Sequence, residues 1–271
     1  MTADRCLDGR RLRELVTTCG YADLYCTEGA SLYASVTRAD RTEVQLVRRA
    51  ARATTGTIVE LACGDGRLTV PLLGLGRRVV AVDRSSEMLA MLIARAASVG
   101  ASERLRVIEA DLGHWTADEP IGLALLATTS VTLLPPSARE HLFANIASAL
   151  HPEGLFMVST LEQRIPPDIA RGDAGAEASC VPVPGDPSGR RVLMFELPDW
   201  TPSTRLTGFV VTDGDDDTLH QPRLYASEVQ RLPAATLIDE LERAGFEITG
   251  CEGRALAAGH EQVVVTARPR P

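Results

Sequence analysis

A short apolar run, Thr57 to Leu61, carries an acid near its end, Glu60. It opens into Ala62-Cys63-Gly64-Asp65-Gly66 before a helical pattern begins at Arg67-Leu68-Thr69. A strand, a turn with two glycines and a helix N-terminus, in that order, leave few folds open. They build a cradle of backbone N–H groups for a polar ligand. Roughly twenty residues after Gly64, the spacing expected for an acid that binds ribose, the run Arg78-Val79-Val80-Ala81-Val82 ends in Asp83. A carboxylate at that strand tip can accept hydrogen bonds from ribose hydroxyls. The two features together point to a nucleoside-bearing cofactor.

The pattern around them alternates. Strands are expected at 57–61, 78–82, 105–109, 121–127 and 154–160, and helices at 67–75, 86–99 and 137–149. Strand–helix alternation predicts parallel pairing and a doubly wound α/β sheet. His151-Pro152-Glu153-Gly154 reads as the turn that stops the third of these helices and starts the fifth strand. A helix over 233–244, with Leu237, Ile238 and Leu241 on one face, ends at Gly245, and strands follow at 246–252 and 261–267. Residues 1–55 read mainly as helices and carry Tyr21, Tyr25 and Tyr33. Residues 161–190, rich in proline and glycine, read as a loop or mobile lid. Runs 191–197 and 205–212 alternate as strands, Gly214 to Asp217 reads as a turn, and 218–225 as a third strand. The expected organisation is an N-terminal helical lid over 1–55, a core of 56–160 and 226–271, and a small antiparallel cap insertion over 161–225.

Composition removes several chemistries. All 28 basic residues are arginine, so no lysine is present for a Schiff base or for a phosphate loop. The net charge of −8 opposes a nucleic-acid partner, which needs a basic field. The six cysteines include no Cys-x-x-Cys pair, so no metal site is expected, and their scatter suits free thiols in a reducing cytoplasm. With no apolar run of about 18 residues and a polar N-terminus, neither a membrane span nor export is expected.

Four segments in order then carry a family resemblance: Glu60-Leu61-Ala62-Cys63-Gly64-Asp65-Gly66, Val82-Asp83-Arg84-Ser85-Ser86-Glu87-Met88-Leu89, Glu109-Ala110-Asp111-Leu112, and Leu150-His151-Pro152-Glu153-Gly154. The chain resembles the class I S-adenosylmethionine-dependent methyltransferases over about 40–160, and in layout over 233–268. The resemblance implies a mostly parallel seven-stranded sheet and S-adenosyl-L-methionine as cofactor. Gly64 and Gly66 would let backbone approach the amino-acid portion and the ribose. Asp83 would take the ribose hydroxyls, with Arg84 beside it. Met88 would pack on the adenine face, Asp111 would accept from its amino group, and the Leu112 backbone would meet the ring edge. Glu60, Ala62 and Ala127 would complete the cofactor site, with Ala62 standing where glycine is more usual.

The acceptor is less constrained. Ala127-Thr128-Thr129-Ser130, after the fourth strand, lacks the Asn-Pro-Pro-Tyr or Asp-Pro-Pro-Tyr signature of nucleic-acid and protein-glutamine amino methyltransferases. The layout looks most like actinobacterial N-methyltransferases of peptide natural products, glycopeptide or daptide type. This implies N-methylation of a peptide or small-molecule amine. An O- or C-methyltransferase of a small metabolite and a non-catalytic partner of the same fold are the alternatives, and a homodimer stays open. Tyr33 is the candidate to close over the sulfonium. His260 is the candidate general base, with His220 as a competitor, because a neutral imidazole suits proton abstraction. Glu162 could hold an ammonium group.

Overall fold

The computed structural model describes residues 9–38, 40–163, 177–183, 191–198, 200–211, 222–256 and 260–270. The elements run α1 (Gly9–Cys19), β1 (Ala22–Asp23), α2 (Thr27–Thr37), α3 (Val44–Ala53), β2 (Thr57–Leu61), α4 (Thr69–Leu73), β3 (Val79–Asp83), α5 (Ser86–Ser98), β4 (Leu105–Glu109) and β5 (Ile121–Leu126). They continue as α6 (Pro136–Ala149), β6 (Leu150–Gln163), β7 (Glu177–Pro182), β8 (Arg191–Leu197), β9 (Thr204–Val211), β10 (Arg223–Gln230), α7 (Ala234–Arg243), β11 (Phe246–Ala255) and β12 (His260–Pro269). The chain divides into two compact units: residues 40–164 with 232–271, and residues 1–39 with 165–231.

The first unit is built on a seven-stranded sheet of order β11-β12-β6-β5-β2-β3-β4. β12 is antiparallel to both its neighbours, and the other pairs are parallel. Central strands covered on both faces need apolar residues at every position. β5, Ile121-Gly122-Leu123-Ala124-Leu125-Leu126, is buried throughout. Alternate side chains feed two separate cores. Val59, Leu61, Val80, Val82, Leu126 and Phe156 pack with Leu142, Phe143 and Ile146 of α6 and with Leu237 and Leu241 of α7. Ile58, Val79, Leu123, Leu125 and Met157 pack with Val44 and Val47 of α3 and with Leu72 and Leu73 of α4. Pro136 suits the first turn of α6, where its missing N–H is not needed. Arg139 of α6 forks onto Glu240 of α7 through Nε–Oε2 at 2.7 Å and Nη2–Oε1 at 2.6 Å, while its Nη1 donates to the Leu134 carbonyl. Strand β6 is longer than the sequence suggests. Its pairing with β5 jumps from Ile121–Leu150 to Leu123–Leu155, so the expected turn at 151–154 sits as an irregularity at the strand's start. Where β6 ends and the chain re-enters the unit, Thr160 Oγ1 donates to the Leu232 carbonyl at 2.6 Å and Glu162 Oε1 accepts the Ala234 N–H at 2.7 Å.

The second unit has a five-stranded sheet, β1-β10-β9-β8-β7, antiparallel except for the short β1–β10 pairing. Leu12 and Val16 of α1 cover one face, against Phe195, Leu206 and Val210. Leu32, Tyr33 and Val36 of α2 cover the other, against Phe209 and Tyr225.

The division differs from the sequence reading at each boundary. α3 belongs with the larger sheet because its apolar face packs there, so the break falls at 39/40 and not 55/56. β10 stays hydrogen-bonded to β9 as far as Gln230, which moves the return to 231/232. β7 lies inside the segment read as a loop, where prolines and glycines conceal an edge strand, the position in a sheet that tolerates proline. The expected turn at 214–217 lies outside the described residues. Among the described residues, no helix is long and apolar enough to cross a membrane, and no cluster of His, Cys, Asp or Glu could hold a metal ion.

Candidate cofactor site

The loop after β2 owes its shape to alternate left-handed residues: Ala62 at φ 53°, Gly64 at 55° and Gly66 at 80°. Two of the three are glycine, as the conformation favours. Ala62 pays the left-handed strain of an L-residue, a methyl too close to backbone oxygen. We expect Ala62→Gly to stabilise the protein by about 0.5–1 kcal/mol, since the relief exceeds the extra chain entropy of glycine. Chemical unfolding reads this directly, and a loss of stability would mean that the methyl's packing outweighs the strain.

Gly66 lies against α5. A Cβ built there would stand 2.3 Å from Leu92 Cδ1. Gly64 is different: a Cβ there would find only Met88 Sδ, at 3.9 Å. The first glycine is required by packing, and the second leaves room above the loop. Arg95 of α5 fixes the loop from the side, with Nη1 donating to both the carbonyl and Oδ2 of Asp65 at 2.7 Å.

Two acids flank that space. Asp83, at the tip of β3, accepts the Gly64 N–H through Oδ2 at 2.8 Å and the Ser85 N–H through Oδ1 at 2.9 Å. Ser85 in turn caps α5, its hydroxyl accepting the Met88 N–H. One carboxylate thus joins the glycine loop, β3 and α5. Glu60 is 3% exposed and accepts the Thr69 hydroxyl at 2.6 Å. Burial pushes its pKa up to about 8. Thr69 and the Arg67 charge oppose the rise, and Asp83 and Asp65 add to it. Cys63, buried in the same loop, has its thiol raised well above the usual range, chiefly by burial and then by Glu60. It is an inert packing residue.

Beyond β4, the Ala110 N–H donates to the Asp83 carbonyl at 2.9 Å, so this segment runs beside the β3 tip. Asp111 is exposed, and its Oδ1 accepts the Gly113 N–H at 2.7 Å. It closes a turn and leaves its second oxygen for a ligand. Leu112 is buried below it, and Met88 is buried beside Gly64. Arg84 is exposed next to Asp83. Ala127 is buried at the end of β5, next to β2 in the sheet. The structure therefore gathers Glu60, Ala62, Gly64, Gly66, Asp83, Met88, Asp111 and Leu112 around one end of the parallel strands.

Of the candidate catalytic residues, His260 lies apart from them within the same unit. His260 opens β12, opposite Gln163 at the far end of β6. It stands three strands from β2, about 14 Å across the sheet at the usual strand spacing. It also lies further out along the strands, because its partner Gln163 is six residues past Met157, which is level with Glu60. Tyr33 belongs to the other unit, edge-on to Tyr25 at 5.6 Å and to Phe209 at 6.4 Å. Glu162 accepts the Ala234 N–H at the start of α7, so it works as a helix cap. His220 lies outside the described residues.

Sequence reasoning missed three contributors. Thr69 holds Glu60, and Arg95 anchors Asp65. Glu43, 3% exposed at the start of α3, accepts the Thr128 N–H at 2.7 Å. Arg67 lies between Asp40, at 3.3 Å, and Glu43, at 3.9 Å. The available signal was an acid at a helix start, a pattern that any ordinary cap shares.

Residues 58–154 match a family described as a methyltransferase domain. No curated protein matches the sequence significantly. Among solved structures, the CcbJ methyltransferase from Streptomyces caelestis is similar with a TM-score of 0.71 and 19% identity, over 92% of this chain and 99% of that one. The glycopeptide N-methyltransferase MtfA, complexed with sinefungin, is similar at 0.60 and 22%, over 96% of each chain. The sugar N-methyltransferase KedS8 from a Streptoalloteichus species is similar at 0.62 and 16%, over 89% and 92%. At these identities the structural likenesses establish the fold. The domain match over 58–154 takes in the glycine loop, the tip of β3 and β5, and the strand order together with the structural likenesses gives the chain a Rossmann-like methyltransferase fold.

Proposed function

We propose that the protein transfers a methyl group from S-adenosylmethionine to an amine nitrogen of a peptide or small-molecule natural product. The observation that carries the cofactor half is Asp83. Its carboxylate is fixed by two backbone N–H groups beside the open face of Gly64, where it can take two ribose hydroxyls. The fit extends to both ends of the ligand. Glu60, Gly64 and Gly66 suit a cationic amino-acid portion, and Met88, Asp111 and Leu112 suit an adenine.

The cofactor, when bound, supplies a methyl activated on a sulfonium. The protein's own work is to position it and to exclude water. Solved structures of similar fold support the amine acceptor, since two are a glycopeptide N-methyltransferase and a sugar N-methyltransferase. The acidic net charge supports a small or peptide acceptor over a nucleic acid. Tyr33 and His260 are proposed to act on the acceptor side, Tyr33 as a closing residue and His260 as the base.

Titration calorimetry with S-adenosylmethionine tests the reading. No binding at millimolar ligand would overturn it. The pH dependence adds a sharper check. Without ligand, Glu60 is held protonated up to about pH 8. Its raised pKa gives stability that is full below the ordinary value of 4.5 and is lost as pH rises through about 8. A ligand ammonium placed beside it favours the carboxylate. Binding should then release up to about one proton near neutrality and tighten as pH rises from 6 to 7.5. Calorimetry in buffers of different ionisation enthalpy counts that proton. In Glu60→Gln the slope should flatten, and a slope unchanged by the substitution would remove Glu60 from the ammonium.

A further inference from the structure

The loop after β5, Ala127-Thr128-Thr129-Ser130, contains no glycine, yet Thr128 and Thr129 both sit in the left-handed region, at φ 56° and 60°. β-branched residues avoid that region, and two in succession need something to hold them there. The holding groups come from separate elements. Glu43 of α3 accepts the Thr128 N–H at 2.7 Å, and Ser159 of β6 accepts the Thr129 N–H at 3.0 Å. The Ser159 hydroxyl and the Gln262 side chain of β12 also bond the Glu43 carboxylate. Glu43, Ser159 and Gln262 are all buried, so these bonds are shielded from water. Inside the clamp the backbone N–H groups point inward. The half-buried Thr128 and Ser130 hydroxyls lie 3.3 Å apart.

The same carboxylate faces the glycine loop. Arg67, which closes that loop, brings Nη2 to 3.9 Å from Glu43 Oε2, and its charge favours the ionised form that burial opposes. Arg67 also acts on Glu60. The loop after β2 and the loop after β5 therefore meet at one buried acid. β2 and β5 are neighbours in the sheet, so both loops emerge side by side at its carboxyl edge.

We infer that Glu43 is a positioning residue that couples the two loops, so that a ligand held by the glycine loop sets the order of residues 127–130 through Arg67 and Glu43. This rests on the methyltransferase reading for the identity of the ligand, with the loop after β5 on the acceptor side. The coupling gives the protein a way to shape the acceptor side only when the methyl donor is in place. Glu43 itself touches neither.

Three variants test it. In Glu43→Ala, both the carboxylate and its hold on Thr128 are gone. Amide hydrogen exchange at Thr128 and Thr129 should speed up by at least about tenfold, the scale of a hydrogen bond to a charged group. Adding Thr128→Gly and Thr129→Gly to that variant should recover most of the lost melting temperature, because glycine needs no clamp at positive φ. Glu43→Gln keeps an oxygen for the Thr128 N–H but loses the charge that Arg67 meets. It should fold normally and keep slow exchange at Thr128 without ligand. S-adenosylmethionine should slow exchange at Thr128 and Thr129 in the native protein and leave it unchanged in Glu43→Gln. Equal ligand-induced protection in the two proteins would overturn the coupling. Exchange in Glu43→Ala at the native rate, or no recovery with the glycines, would overturn the clamp. A native protein that fails to bind S-adenosylmethionine, with fast exchange still seen in Glu43→Ala, would instead retire the choice of ligand and with it the coupling, while the clamp stood.

Discussion

Gly66→Ala is expected to destabilise the protein by about 2–4 kcal/mol, from a left-handed backbone and an overfilled core acting together. At φ 80° any L-residue strains its backbone. The added methyl would also stand 2.3 Å from Leu92 Cδ1. Leu92 is fully buried and packed with Cys63, Ala81 and Leu89, so any retreat of its side chain displaces those neighbours. Lifting the loop away from α5 is opposed by Arg95 through its two bonds to Asp65. Denaturant unfolding gives the size of the effect. A change below about 0.5 kcal/mol, the range of an inconsequential surface substitution, would show that Leu92 repacks freely and that the glycine is not demanded here. Ala62→Gly, four residues earlier, is the control of opposite sign.

Asp83→Ala is the second large effect. It should weaken S-adenosylmethionine binding by about 1.5–3 kcal/mol, or roughly 10- to 150-fold, the scale of hydrogen bonds to a charged acceptor. The residue does two jobs, and the experiment can separate them. Losing the carboxylate removes the ribose contact and also leaves the Gly64 and Ser85 N–H groups without their acceptor. Calorimetry measures the first loss, and unfolding of the ligand-free protein measures the second. Unchanged affinity would mean that the ribose is held elsewhere. A fall in affinity matched entirely by a fall in loop order would mean that Asp83 works through Gly64 and not through the ligand.

Much of the larger unit was legible in the sequence, for an identifiable reason. β2 and β4 occupy the expected 57–61 and 105–109, β3 is shifted by one residue from 78–82, and β5 ends one residue short of 121–127. Strands covered on both faces must be apolar along their length, and glycine must appear where the backbone turns left-handed. Those requirements are local, so they can be read locally. β7 was not legible, because an edge strand tolerates proline. Glu43 was not legible either. Its importance comes from Thr128, 85 residues away, and nothing near it in sequence announces that bond. Glu162 shows the reverse failure. It has the chemistry a reactive site would use, yet the structure employs it as a helix cap.

The two hydrogen bonds that close the larger unit around its interruption have a consequence for how such proteins diversify. Thr160 meets Leu232, and Glu162 meets Ala234, so the chain departs and returns at a single fastened place. The intervening stretch is a long loop from the sheet's point of view, and the entropy of closing a long loop grows only slowly with its length. Insertions, deletions and wholesale replacement between those fasteners leave the register of β6, β12 and α7 untouched. A lineage can therefore rewrite that stretch again and again while the donor-binding end of the sheet stays as it is.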